Sequence, residues 1–271
     1  MSAPVGLFEL DGNKPEAHGY GINSDSPLAT GLVGYWPFWE GTGIKAGDVA
    51  SAADATLDSD LLWLDNGIQF NASSGLDRDA GTYPEVGGDM SIVVNLSIGN
   101  TGADRYYLHY GSTGSASGNF AIKVSRVNGT VTFRDCPTGG SFADQVLTFS
   151  SVFETFRRYQ IVITRTLAGS IVAYRDGGDV QTTTGQSGLL SGAQAIKPLA
   201  IGHSALCAAF LGNINQLSVW TRILSGSEVQ SLHTNPYQLI TPPSYIPIVA
   251  SEAPAGFAGS SHILGGGILS C

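Results

Sequence analysis

Gly31-Leu-Val-Gly-Tyr-Trp-Pro-Phe-Trp-Glu-Gly-Thr-Gly43 is the stretch whose reading decides the fold. Residues 32–38 are rich in apolar and aromatic side chains, which favour a half-buried strand. A counterpart stands far downstream: Phe210-Leu-Gly-Asn-Ile-Asn-Gln-Leu-Ser-Val-Trp-Thr-Arg-Ile-Leu-Ser225. Residues 215–220 of it read as a second strand. The separation of the two leaves room for one two-sheet β-sandwich between them. Alternation in the two strands predicts Trp36 and Phe38 in the core and Trp220 in a strand that partners the first.

Between them, strand signals follow closely. Residues 61–64, 67–71, 91–98, 105–110, 120–126, 130–134, 146–149, 159–164, 170–174, 180–183 and 199–201 are read as strands. In 91–98 the alternation of Ile92, Val94, Leu96 and Ile98 sets one face inward. Asn128-Gly129 predicts a hairpin with a type I′ turn, and Asp176-Gly177 turns the chain into 180–183. About a dozen short strands at this spacing indicate an all-β, antiparallel, two-sheet jelly roll rather than a βαβ fold.

One helix is legible. Ser225-Gly-Ser-Glu228 matches the capping-box pattern, and the helix should end near Asn235-Pro236. The organisation expected is an extended arm at 1–27 with a short strand at 5–10, a jelly-roll domain at 28–240, and a Pro/Gly-rich apolar tail at 241–271. In the tail, Tyr245, Ile246, Ile248, Phe257, Ile263, Leu264 and Leu269 stand among many Gly and Pro residues with one charge, Glu252. Such a segment cannot build its own core, so these residues, with Phe8 of the arm, are the expected assembly contacts.

Composition narrows the function. Charged residues make up 13% of the chain, about half the usual share, and the formal net charge is −9. Nucleic acid and anionic membranes are disfavoured partners, since phosphate neutralisation needs clustered Lys and Arg. Three cysteines, Cys136, Cys207 and Cys271, show no disulfide or metal spacing. The N-terminus lacks the basic start and apolar run of a signal peptide, so synthesis in a cytoplasm is expected.

The two quoted stretches resemble the opening and closing strands of laminin-G-like, concanavalin A-like jelly-roll domains. Leu61-Leu-Trp-Leu-Asp-Asn-Gly-Ile-Gln-Phe70 is similar to the second motif of that family, and Val172-Ala-Tyr-Arg-Asp-Gly177 to its Tyr-x-Asp-Gly hairpin. The flanks Ser26-Pro-Leu-Ala-Thr-Gly31 and Leu232-His-Thr-Asn-Pro-Tyr-Gln-Leu239 resemble those of such domains in bacteriophage and prophage structural proteins. The resemblance implies a non-enzymatic virion component: a capsid decoration, cement or fibre subunit. Its partners would be copies of itself and other virion proteins such as the major capsid protein. The alternative implied is a lectin-like module for host surface glycans.

Glycosidases on this fold resemble one another through Glu-x-Asp-x-x-Glu on one strand. Glu9-Leu-Asp11 is the one Glu-x-Asp here and lacks the second Glu, so no catalytic residues are expected. No cofactor is expected either. Calcium stays open through Asp77, Asp79 and Asp176, although Asn215 and Gln216 replace the acids that calcium-binding members of the family often carry. If a glycan binds, Tyr106, Tyr107 and Tyr110 are the candidate stacking aromatics, with Trp39 and Trp63 behind them.

Overall fold

The computed structural model describes residues 20–51, 54–65, 67–71, 75–78, 88–102, 104–110, 119–136, 142–188, 199–202 and 210–241. Eighteen strands lie in this set. In chain order they begin with β1 (Gly21–Ile22), β2 (Leu32–Trp36), β3 (Lys45–Ala46), β4 (Ala55–Leu57), β5 (Leu62–Leu64) and β6 (Gly67–Asn71). They continue with β7 (Leu76–Arg78), β8 (Met90–Ile98), β9 (Arg105–Tyr110), β10 (Asn119–Ser125), β11 (Thr130–Cys136) and β12 (Ala143–Thr148). The last are β13 (Arg158–Arg165), β14 (Ser170–Arg175), β15 (Asp179–Thr184), β16 (Leu199–Ile201), β17 (Leu211–Trp220) and β18 (Ile240–Thr241). One α-helix, α1 (Gly226–Thr234), precedes β18.

Two antiparallel sheets form the sandwich. One runs β12-β11-β10-β9-β16-β7-β4-β3, and the other β15-β14-β13-β8-β17-β6-β5. The opening strand joins the closing one as expected: β2 pairs with β17, Trp36 opposite Leu217 and Leu32 opposite Trp220. β17 is long enough to share its outer edge, with β6 along Leu211–Ile214 and β2 beyond. A small third sheet pairs Gly21 with Thr241 and Ile22 with Ile240, so the two ends of the described chain meet.

Alternation sorts β8 onto two faces. Ile92, Val94, Leu96 and Ile98 enter the core between the sheets, with Trp36, Phe38, Phe70, Phe133 and Phe153. The opposite face of β8 is buried too. There Val93 joins Tyr35, Val162 and Trp220 beneath Val229 and Leu232 of α1. Trp220 therefore lies on the partner strand but packs under the helix, where its indole N–H donates to the Leu28 carbonyl at 2.7 Å. The capping box is present: Glu228 N–H donates to Ser225 Oγ, and Ser225 N–H to the Glu228 carboxylate.

Local chemistry explains where the expected elements shift. At Asn128-Gly129 only the glycine has positive φ, at 63°, so this loop, residues 126–129, is not a type I′ turn. The I′ geometry occurs at Asp176 (φ 51°) and Gly177 (φ 72°). β17 starts four residues earlier than read, because Gly212 and Asn213 lower the apparent strand propensity. Gly212 is required there: at φ 144°, its β-carbon would lie 2.0 Å from the Ser97 carbonyl oxygen. The two- and three-residue strands β1, β3, β4, β7 and β18 are too short to show a period. The expected strand at 5–10 lies outside the described residues.

Candidate functional site

The three tyrosines expected as stacking platforms are not available for stacking. Tyr106, Tyr107 and Tyr110 are 4%, 1% and 4% exposed. Strand β9 is interior to its sheet, between β10 and β16. A bulge in its pairing with β10 occurs around Tyr107 and brings Tyr107 to the core beside Leu108. Tyr110 stacks on Phe120 with ring centroids 5.2 Å apart. Alternation in an aromatic run cannot show that both faces of such a strand are covered. Trp63 packs on the core and donates to the Gly43 carbonyl, and Trp39 lies 5.2 Å from the Tyr20 ring.

Asp176 and Gln216, together with two acids near the opening strand, hold the fold. Glu40 accepts from Gly47 N–H at 2.6 Å. Asp48 accepts from Tyr35 N–H at 2.9 Å and from Ala50 N–H at 3.0 Å. The Asp176 carboxylate accepts from Gln160 N–H at 2.9 Å. Burial pushes this carboxyl up, while the hydrogen bond from Gln160 and the charges of His233, Arg157 and Arg175 pull it back. Gln216 accepts from Asn95 Nδ2 at 2.9 Å and donates to the Pro236 carbonyl at 3.2 Å. An acid at 216 could accept but, ionised, not donate, so the amide is needed to tie β17 to the turn after α1. Among the described residues no group of His, Cys, Asp and Glu is placed to hold a metal ion. The side chain of Asp77 and all of Asp79 lie outside the described set, as do Glu9, Asp11, Phe8, Tyr245, Ile246, Ile248, Phe257, Ile263, Leu264 and Leu269.

One buried ion pair carries no signal in the sequence. Asp135 at the end of β11 and Arg165 at the end of β13 come from opposite sheets, and both side chains are fully buried. Arg165 Nε lies 3.4 Å from Asp135 Oδ2, and Arg165 Nη2 donates to the carbonyls of Gln186 and Gly188 at 2.8 and 3.0 Å. Among the described residues, Asp135 Oδ1 and Arg165 Nη1 find no hydrogen-bond partner. Burial raises the Asp135 pKa and lowers that of Arg165, more than their mutual attraction restores.

The surface with the richest chemistry is one end of the sandwich. Loops 99–102, 126–129, 149–157 and 176–178 meet there. Phe149 N–H donates to the Gly129 carbonyl, Phe153 N–H to Arg126 and Phe156 N–H to Ile98, at 2.9, 3.1 and 2.8 Å. Arg126 Nε donates to the Thr101 carbonyl at 3.0 Å, and Ser150 Oγ to Asp179 at 2.7 Å. Beneath this rim, Phe153 is buried edge-on to Phe149 and Tyr159, with centroids 5.9 and 4.9 Å away. The Arg175 guanidinium lies over the Phe149 and Phe153 rings at 5.0 and 5.4 Å and donates to the Ser151 carbonyl at 2.6 Å.

On this base, Val127, Val152 and Phe156 point outward, 44%, 54% and 68% exposed. Beside them Arg157 Nη1 pairs with Glu154 Oε1 at 2.8 Å, and Arg157 Nη2 lies 3.6 Å from Asp176. No local sequence signal marks this loop as a site. Phe149, Phe153 and Phe156 have the i, i+4, i+7 spacing of a helix face, which hides that the first two point in and the third points out.

The chain matches a family over residues 81–230, more than half of its length. No curated protein matches it by sequence. Solved structures share the fold. Trypanosoma rangeli sialidase superposes with a TM-score of 0.57 at 18% identity, over 78% of this chain and 33% of the sialidase. The receptor binding domain of botulinum neurotoxin D gives a TM-score of 0.56 at 10% identity, over 78% of this chain and 54% of the other. That of the C/D mosaic serotype gives 0.57 at 12%, over 76% and 51%. The chain thus spans about a third of the sialidase and about half of the neurotoxin domains. At these identities the likeness is one of fold. The family matched over residues 81–230 settles the relationship: the chain belongs to the concanavalin A-like lectin/glucanases superfamily.

Proposed function

We propose that this chain is a non-catalytic carbohydrate-recognition domain. The observation that carries the reading is how a sandwich of a lectin and glucanase superfamily uses its acids. Hydrolysis on such a fold needs two carboxyl groups facing each other about 5–5.5 Å apart in a retaining enzyme, or roughly 6.5–9.5 Å in an inverting one. Here Glu40, Asp48, Asp135, Asp176 and Glu228 are each tied to backbone amides or guanidinium groups inside the fold. These ties commit the five acids to structure, which favours the lectin half of the superfamily's name over the glucanase half. Of the fold neighbours, the receptor binding domains of botulinum neurotoxin are binding modules and the sialidase is an enzyme, so the fold itself serves both uses.

A second reading is supported by the flanks at 26–31 and 232–239, which resemble those of phage structural proteins, and by the apolar composition of 241–271. On that reading the domain is displayed on a virion, to which the terminal arms attach. The two are compatible, since a displayed recognition domain needs an anchor.

The test is a glycan array probed with the purified chain, run beside a reducing-sugar assay on the glycans that bind. Saturable binding without sugar release is expected. Release that disappears with Glu40→Gln would make the protein an enzyme and overturn the reading.

A further inference from the structure

We propose that the rim formed by Val152, Glu154, Phe156 and Arg157, with Val127 and Asp176 beside it, binds a neutral pyranose, whose ring stacks on Phe156. The assignment rests on the carbohydrate-recognition reading and gives it a place and a ligand class.

Phe156 is hard to explain as a folding residue. Its φ of 61° is in the left-handed region, which a β-carbon disfavours. Its ring is 68% exposed and so gains little from burial. A glycine or asparagine would take the same backbone more easily. Cost without return to stability is the pattern of a residue kept for what it contacts. The loop is also fixed: the Phe156 N–H is held by the Ile98 carbonyl at 2.8 Å, and Glu154 N–H by Tyr159 Oη at 2.7 Å. A rigid support lets a ligand bind without the entropy cost of ordering a loop.

The groups around the ring select the ligand. A protein partner of ordinary affinity covers about 800 Å² with an apolar centre, and one ring and two valines set among charges are too little for that. A saccharide needs one apolar platform and a few fixed polar groups. The C–H face of a pyranose supplies the first contact. Its hydroxyls can donate to the Glu154 carboxylate and accept from Arg157. Arg157 is positioned by Glu154 and Asp176 and by the Tyr159 ring, 5.0 Å below its guanidinium. Because two carboxylates already balance its charge, Arg157 acts as a hydroxyl donor and not as a clamp for a carboxylate. Neutral glycans are therefore preferred over sialylated ones.

The experiment uses the full chain, Phe156→Gly and Phe156→Trp on an array holding neutral and sialylated glycans, with affinities by calorimetry and mass by light scattering. Glycine removes the ring and relieves the backbone, so the variant should fold with an unchanged or higher Tm. Expected results are neutral-glycan binding by the parent, at least a tenfold loss in Phe156→Gly, and retention in Phe156→Trp. Equal binding by parent and Phe156→Gly would overturn this site while leaving the recognition reading intact. Preference for sialylated glycans would overturn the neutral assignment. A parent that binds no glycan would end both, and an oligomer that dissociates in Phe156→Gly would reassign the ring to an interface between copies.

Discussion

Replacing Asp135 by leucine removes one half of a charge pair that spans the two sheets and leaves the other half buried. At 3.4 Å and an effective dielectric of about 20, the attraction between the two charges is roughly 5 kcal/mol. Against it stands a desolvation cost of several kcal/mol for each ion. The unpartnered Asp135 Oδ1 and Arg165 Nη1 add about 1–3 kcal/mol each. The pair is therefore near neutral or unfavourable as a whole, yet costly to break. Asp135→Leu should lose about 3–5 kcal/mol, which at this chain length is roughly 6–20 °C in Tm. Asp135→Leu combined with Arg165→Met should recover much of that loss by removing the unpaired charge, short of the parent by what the Gln186 and Gly188 carbonyls lose with their donor. Chemical denaturation followed by tryptophan fluorescence gives both numbers, and adding the Arg165→Met single variant closes the cycle for their coupling. A single variant that loses under about 1 kcal/mol, or a double variant less stable than the single, would refute this view of the pair.

Gly212→Ala should destabilise by about 3 kcal/mol or more, since the new β-carbon meets the Ser97 carbonyl at 2.0 Å in a left-handed backbone; a denaturation midpoint checks it. Glu228 is held below the usual carboxylate range, first by the hydrogen bond from Arg222. Its contribution is thus complete above the unfolded pKa of about 4.3 and is lost as pH falls through the depressed folded value. Arg222→Gln should accordingly flatten the loss of stability below about pH 4, as read from melts across pH. Deleting residues 242–271 should leave the sandwich folded, because β18 closes at Thr241, and should abolish self-association in light scattering. Unfolding, or unchanged association, would mean that the tail serves its own domain.

The fold was legible because its decisive signals are local. Trp36 and Phe38, the alternation of Ile92 through Ile98, and Ser225 with Glu228 depend on periodicities and capping bonds that span a few residues. The pairing of β2 with β17 could be inferred from matching end motifs. What tertiary structure alone decided is which apolar residues are covered and by what. Tyr107 and Tyr110 look like part of an exposed aromatic strip until the two sheets close and put them in the core. Phe153 and Phe156 are the same residue type three positions apart, yet one is in the core and the other is 68% exposed. The Asp135–Arg165 pair joins residues thirty positions apart on different sheets. Burial and charge pairing are set by contacts between distant segments, and local chemistry holds no record of those contacts until the two sheets close on one another.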